Sequence, residues 1–173
     1  MIIRAEEPRD ARALFALHFQ AFGEREDESK LVDRIRNSPQ YIPSLSLVAE
    51  HEGQIVGHAL FSKAEVVGKE QVSHEVVVLA PLAVSPSFQK QGIGTQLIQE
   101  GLQRTQELGY GVVFLIGHPE YYPRFGFKPA RSLGFELKQF EVPDEVFMAM
   151  ELKEGATLSI QGELLYPEAF FEK

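Results

Sequence analysis

Apolar positions change their period along the 173-residue chain, and each change predicts an element. Residues 2–5 form a short strand candidate, ended by Glu6, Glu7 and Pro8. Proline suits the first turn of a helix, where its missing N–H costs nothing. Ala11, Leu14, Phe15, His18, Ala21 and Phe22 then recur at helical spacing, which predicts an amphipathic helix closed by Gly23. A second helix is predicted over 28–36, with Leu31, Val32 and Ile35 inward. From Leu45 the pattern becomes that of strands: 45–50 and 54–67, joined by a turn at Glu52-Gly53, and then 72–84. The last is almost continuous in Val and Leu from Val76, as when both faces are buried. Residues 95–108 return to the helical period, with Gly109 placed as a cap, and 112–116 read as another buried strand. Further strands are predicted at 147–152 and 158–166. An antiparallel meander followed by a strand–helix–strand unit gives an α/β class, a mixed sheet flanked by helices. No repeat or linker interrupts it, so residues 1–173 are expected to form a single domain.

Composition narrows the function. With no cysteine, disulfides, thiolate metal sites and a cysteine nucleophile are excluded. The net charge of -8 argues against nucleic acid or an anionic membrane as the main partner. It suits a basic or amine-bearing substrate, and equally plain solubility. Charges in MIIRAEEPRDAR occupy the place of a signal peptide's apolar stretch, and no apolar run approaches a membrane span. The expected location is the cytoplasm. His18, His51, His58 and His74 show no metal-ligand spacing, so no metal is expected. His18 lies on the apolar face of its helix and reads as a hydrogen-bonded core histidine. The charged run from Glu24 to Lys30, with Asp33, reads as a solvated helix start or as an attraction for an amine.

The chemistry concentrates in LAPLAVSPSFQKQGIGTQLI. A buried strand ends at Val84, a short loop carries Gln89, Gly92 and Gly94, and a helix begins at once. Glycines there let the backbone approach a ligand, and the helix start adds unpaired N–H groups and a positive dipole end. The junction is a natural pyrophosphate site, although a glycine turn without a ligand has the same spelling. A P-loop would need Lys-Ser/Thr after Gly94, and a dinucleotide fingerprint a third glycine where Leu97 stands. Pro81 cannot donate to a sheet ladder, so it marks either a strand edge or an opening. An opening would leave the backbone of Leu82, Ala83 and Val84 for a slender ligand such as pantetheine. Downstream, HPEYYPRFGF holds a tyrosine pair that is either a protonated acid at neutral pH or plain core packing.

Together these segments resemble the GNAT superfamily of acetyl-CoA-dependent N-acetyltransferases, and GHPEYYPRFGF is similar to its YhbS-type branch. QKQGIG resembles the family's Q/R-x-x-G-x-G/A loop, and YYPRFGF its aromatic-Tyr-x-x-x-Gly-Phe motif. The resemblance implies a central, mostly antiparallel sheet with a splayed strand pair. It implies that Gln89, Lys90, Gln91, Gly92, Ile93, Gly94 and Thr95 bind the pyrophosphate of acetyl-CoA, and that Leu82, Ala83 and Val84 bind pantetheine. It also implies direct acetyl transfer to a small-molecule or peptide amine, with Tyr122 as the acid. The family's strand glutamate is missing: Val76-Val77-Val78-Leu79 occupies that stretch. That leaves the base open: the candidates are His118, which reads equally as a polar residue satisfying a turn, and a water chain reaching Glu75. The rivals are a non-catalytic acyl-CoA sensor, favoured by that missing glutamate, and a nucleotide-binding domain. A monomer or a homodimer is expected, an edge strand near the C-terminus being able to pair two subunits.

Overall fold

The computed structural model describes residues 1–171. In chain order its main elements are β1 (Ile2–Ala5), α1 (Ala11–Ala21), α2 (Asp27–Arg36), β2 (Tyr41–His51) and β3 (Gln54–Val67). β4 (Ser73–Val84), α3 (Ile93–Glu107), β5 (Val112–Ile116), β6 (Lys128–Pro129) and β7 (Phe135–Glu136) follow. β8 (Phe147–Glu151), α4 (Ala156–Ser159) and β9 (Gly162–Leu165) complete the chain. Internal contacts divide these elements into two units, and β3 and β4 run through both.

The first unit comprises Met1–Ser62, Leu79–Arg104 and the described residues from Ala169. Its start is set by local chemistry. Glu7 and Asp10 cap each other's backbone around Pro8, and a single 3-10 turn leads into α1. β1 pairs antiparallel with β2, and β2 with β3, placing Val48 opposite His58 and Ser46 opposite Leu60. Because strand side chains alternate, β3 sends successive residues to opposite faces. Leu60 packs with Val32 and Ile35 of α2, while Leu14 and Leu17 of α1 cluster with Val48 and Ala83. On the other face α3 lies close against Gly57 and Phe61. A Cβ on Gly101 would come within 2.0 Å of the Phe61 ring, and one on Gly57 within 3.0 Å of Ile93 and Leu97. Glycine at these two positions sets the depth at which α3 sits.

The second unit comprises Lys63–Val78 and Thr105–Glu168. β4 pairs in parallel with β5, but the register covers only Val77↔Val113 and Val78↔Phe114. β5 then pairs antiparallel with β8 along its whole length, β6 adds to β8, and β9 pairs with the end of β3. Phe114 holds Phe135 edge-on at 4.8 Å and stacks on Phe147 at 6.1 Å, forming an aromatic core.

The class is as predicted: mostly antiparallel strands, with parallel pairing of β4 with β5 and of β7 with β9, flanked by helices. Most predicted boundaries hold to within a residue, and three differences are larger. β2 begins at Tyr41, reaching Ser46 through an irregular register. α3 begins at Ile93 because Gly92, at φ 84, turns the chain directly into the helix. The strand predicted at 158–166 is instead α4 followed by β9. Gly155, at φ 82, starts a helical turn that leaves Leu158 78% exposed, so its apolar spacing is not a buried face.

Candidate active site

Within the first unit, the loop after β4 has the makings of an anion cradle. Ser85 N–H donates to the Val56 carbonyl, a 3-10 turn follows at Pro86–Phe88, and the Gln89 amide donates back to the Val84 carbonyl at 3.2 Å. Gln89 thereby ties the exposed loop to the strand end. Lys90 and Gly92 both have left-handed backbone, at φ 63 and 84. The space around Gly92 is open, with no atom within 4 Å of an added Cβ, so its need for glycine is conformational. α3 then begins with Ile93-Gly94-Thr95 and has no acidic residue in its first turn. The contrast with α2 is informative: Asp27 and Glu28 occupy that helix's first turn and complement its dipole internally. At α3 the positive end, the backbone and the Lys90 cation meet an open surface. These features fit a pyrophosphate.

Leu82, Ala83 and Val84 form the strand end before this loop. Ala83 is buried under α1, whereas Leu82 and Val84 are half-buried. Pro81 is buried beyond the last residue that pairs with β5, and its peptide with Ala80 is cis. A depression of about 670 Å³ opens next to the loop, reaching from Ser85 and Phe88 to Leu17, Gln20, Gln54 and Ile55.

Within the second unit, Tyr122 begins a 3-10 turn that runs to Phe125 and ends on Gly126, left-handed at φ 110. Its ring is wedged among Tyr121, Phe125 and Phe127, at centroid distances of 5.1, 6.4 and 5.9 Å. Gly117 makes room for it, since a Cβ there would lie 2.4 Å from the Tyr122 ring. Burial, and secondarily the neighbouring Tyr121, push the Tyr122 hydroxyl up to about 12. It is therefore a firmly protonated O–H at neutral pH, positioned by packing. Tyr121 is held differently, by the Arg124 guanidinium 4.5 Å from its ring centroid.

His118 is exposed, and its main chain closes the turn: its carbonyl accepts from the N–H groups of Tyr121 and Tyr122. Glu75, the other candidate base, is exposed and accepts the Tyr110 hydroxyl at 2.8 Å. Among the described residues, no three His, Asp or Glu side chains are placed to hold a metal ion, and no helix is long and apolar enough to cross a membrane.

His18 is a fully buried, hydrogen-bonded histidine, as its position on the apolar face of α1 predicts. Its partner is a group that sequence reasoning missed. His18 Nε2 lies 2.8 Å from His58 Nδ1, and His58 Nε2 lies 2.8 Å from Ser46 Oγ. Ser46 Oγ also bonds Glu6, whose other oxygen accepts from Arg36 Nε at 2.9 Å. The one sequence trace of this network is a histidine inside the apolar run Gly57-His58-Ala59-Leu60-Phe61.

The family model of the acetyltransferase (GNAT) family matches residues 11–127. Over 171 residues the chain is 35% identical to the uncharacterized N-acetyltransferase YhbS of Escherichia coli (strain K12), covering 98% of each. It is 38% identical over 136 residues to the uncharacterized N-acetyltransferase YjhQ of the same organism, covering 79% of this chain and 74% of that one. The crystal structure of E. coli YhbS in complex with CoA superposes with a TM-score of 0.88 at 33% identity, over 99% of this chain and 92% of that one. A Brucella melitensis GNAT family acetyltransferase in complex with acetyl-CoA gives a TM-score of 0.78 at 31% identity, over 98% and 97% of the two chains. The motifs, the strand and helix order and these similarities converge: this chain belongs to the GNAT acetyltransferase family.

Proposed function

We propose that the protein transfers the acetyl group of acetyl-CoA directly to a primary amine of a small molecule or peptide. The observation that carries this reading is α3's start, where glycine-shaped backbone opens onto a helix end with no acidic residue in its first turn. In this reading the backbone from Gln89 to Thr95 holds the pyrophosphate, and Leu82, Ala83 and Val84 hold pantetheine. A main-chain N–H near Leu82 stabilises the oxyanion that develops on the thioester carbonyl. The amine attacks the carbonyl carbon, the C–S bond breaks, and Tyr122 gives its proton to the departing thiolate. His118, whose main-chain carbonyl closes the turn, is the side chain there that can take a proton from the amine. Binding of both CoA and acetyl-CoA by relatives of this fold supports the choice of co-substrate.

The acyl-CoA sensor remains the competing reading, because no residue of VVVLAPLAV, from Val76 to Val84, is ionisable. Two measurements separate them. Acetyl-CoA and CoA at 100 times their Kd should each stabilise the protein by about 2.7 kcal/mol, with ATP adding little. Thiol release on adding a primary amine then identifies a transferase, and its absence with every amine leaves a sensor. No thermal shift with either coenzyme would remove both readings.

A further inference from the structure

The mechanism above leaves one cluster unused: the buried line of His18, His58, Ser46 and Glu6 in the first unit. Valence fixes where its protons lie. Glu6 is a carboxylate accepting from Arg36, so Ser46 spends its single proton on Glu6. The Ser46 oxygen must then accept from His58, which puts a hydrogen on His58 Nε2. Both imidazoles are neutral, since burial, helped by the Arg36 charge, drives each down to about 3. His58 Nδ1 is therefore bare and accepts from His18 Nε2–H. His18 Nδ1 is left with a lone pair and no partner, on a residue with no exposed surface. Every bond in the line points one way, from an orphaned acceptor toward a carboxylate.

The His18 ring reaches toward the proposed coenzyme strand through Phe22. The His18 ring stacks on Phe22, parallel within 3° at 6.0 Å, and Phe22 packs on the cluster that contains Ala83. The charged and titratable groups facing the line are Arg36 and Asp33 from α2, Tyr41 from β2, and Asp10 from the turn before α1. Arg36 holds both Glu6 and Asp33, so an added proton on Glu6 leaves a charged pair with Asp33 still in place.

We infer that this line, in place of the His118 ring, accepts the amine's proton during acetyl transfer: a buried relay that acts through one water between the amine and His18 Nδ1. The inference rests on the transferase reading. The amine's N–H bond breaks and an Nδ1–H bond forms on His18. The Nε2–H of His18 then passes to His58 Nδ1, the Nε2–H of His58 to Ser46 Oγ, and the Ser46 proton to Glu6. Both imidazoles end neutral in the opposite tautomer, and the positive charge of the proton is absorbed by the Glu6 carboxylate. None of the four residues stands alone as the base; Ser46, His58 and Glu6 act through His18.

Two measurements test it. Nitrogen-15 NMR of histidine-labelled native protein reports tautomers directly. Hydrogen on Nε2 of both His18 and His58 at neutral pH is expected, and an Nδ1–H on His18 overturns the relay. Thiol release from acetyl-CoA is then followed with spermidine, a lysine ester and a short peptide as acceptors. Ser46→Ala should lower kcat about 10²-fold at pH 7. The deficit should shrink as pH rises toward the amine's own pKa, with KM for acetyl-CoA unchanged, and Ser46→Thr should restore the rate. Thiol release indifferent to Ser46→Ala, or reduced equally at every pH, overturns the relay alone. No thiol release by the native protein with any acceptor overturns the transferase reading and the relay with it.

Discussion

The loop from Gln89 to Thr95 and the turn from His118 to Phe127 are both short connections that leave a buried strand and use glycine, yet they are built for different work. The loop offers backbone. Its side chains are mostly exposed, a Cβ on its glycine at 92 would meet open space, and its polarity comes from the start of α3. The turn offers one side chain. Its glycine at 117 is a socket for the Tyr122 ring, and three more aromatic rings keep that ring in place. A site that recognises a constant part of a ligand can be main chain, because the same amides serve whatever residues carry them. An acid for one bond-breaking step must be a particular O–H at a particular depth.

The largest effect should come from removing that O–H. Tyr122→Phe keeps the ring and its packing, so coenzyme affinity and the thermal midpoint should stay as they are. Single-turnover transfer should slow by about 10²- to 10⁴-fold, the range for a positioned acid. Equal rates would reduce Tyr122 to a packing residue and leave the turn with no chemical role.

The same contrast explains what the sequence shows. The loop was legible because conformation constrains spelling: positive φ at residue 92 calls for glycine, and the helix start at Ile93 must follow at once. The aromatic turn was legible as a motif, but the tyrosine's socket at Gly117 was not, since it depends on a close approach that no spacing encodes. The His58–Ser46–Glu6 line was invisible for the same reason. Its members come from β3, β2 and the segment after β1, and only the register that sets Val48 against His58 gathers them around His18. α4 was misread because Leu158 and Ile160 alternate like strand residues while Leu158 faces solvent.

The next effect belongs to the buried histidine pair of the first unit, set against the aromatic core of the second. His18 and His58 titrate near 6.5 when unfolded and near 3 when folded. Their folded values are depressed, so the stability they support is complete above about pH 6.5 and is lost as pH falls toward 3. At pH 5 the loss should be about 2 kcal/mol for each imidazole, from the unfolded chain's proton uptake. Urea midpoints at pH 7.5 and pH 5 measure this. His58→Gln should flatten the slope, and a native protein equally stable at both pH values would show that the pair is not held neutral.

Gly101 within α3 and Gly92 just before it divide the two uses of glycine. Gly101→Ala forces a Cβ into the buried Phe61 ring, a steric demand in the core. A cost of about 1–3 kcal/mol is expected, lowering the melting temperature by roughly 3–10 °C. The protein that remains folded should bind CoA normally. An unchanged melting temperature would mean that α3 shifts outward freely, and coenzyme affinity would then be expected to suffer instead.

Gly92→Ala asks the opposite question and should have the smallest effect. An added Cβ meets no atom within 4 Å, so nothing in the core is disturbed. What it opposes is the backbone itself: φ of 84 costs an L-residue about 1–2 kcal/mol. The loop can shed that strain by rotating, because Lys90 already bears one left-handed position and the segment from Gln89 to Gly92 is exposed. Rotation turns the amides at the start of α3 away from a bound pyrophosphate, so the cost appears in binding rather than in folding. The Kd for CoA should rise about tenfold, matching the strain, with the melting temperature little changed. If the substitution instead lowers stability by the full amount and leaves CoA affinity untouched, the loop holds its shape against strain without a ligand's help. The amides of Gln89 to Thr95 would then be a rigid turn, and the coenzyme would have to be held elsewhere.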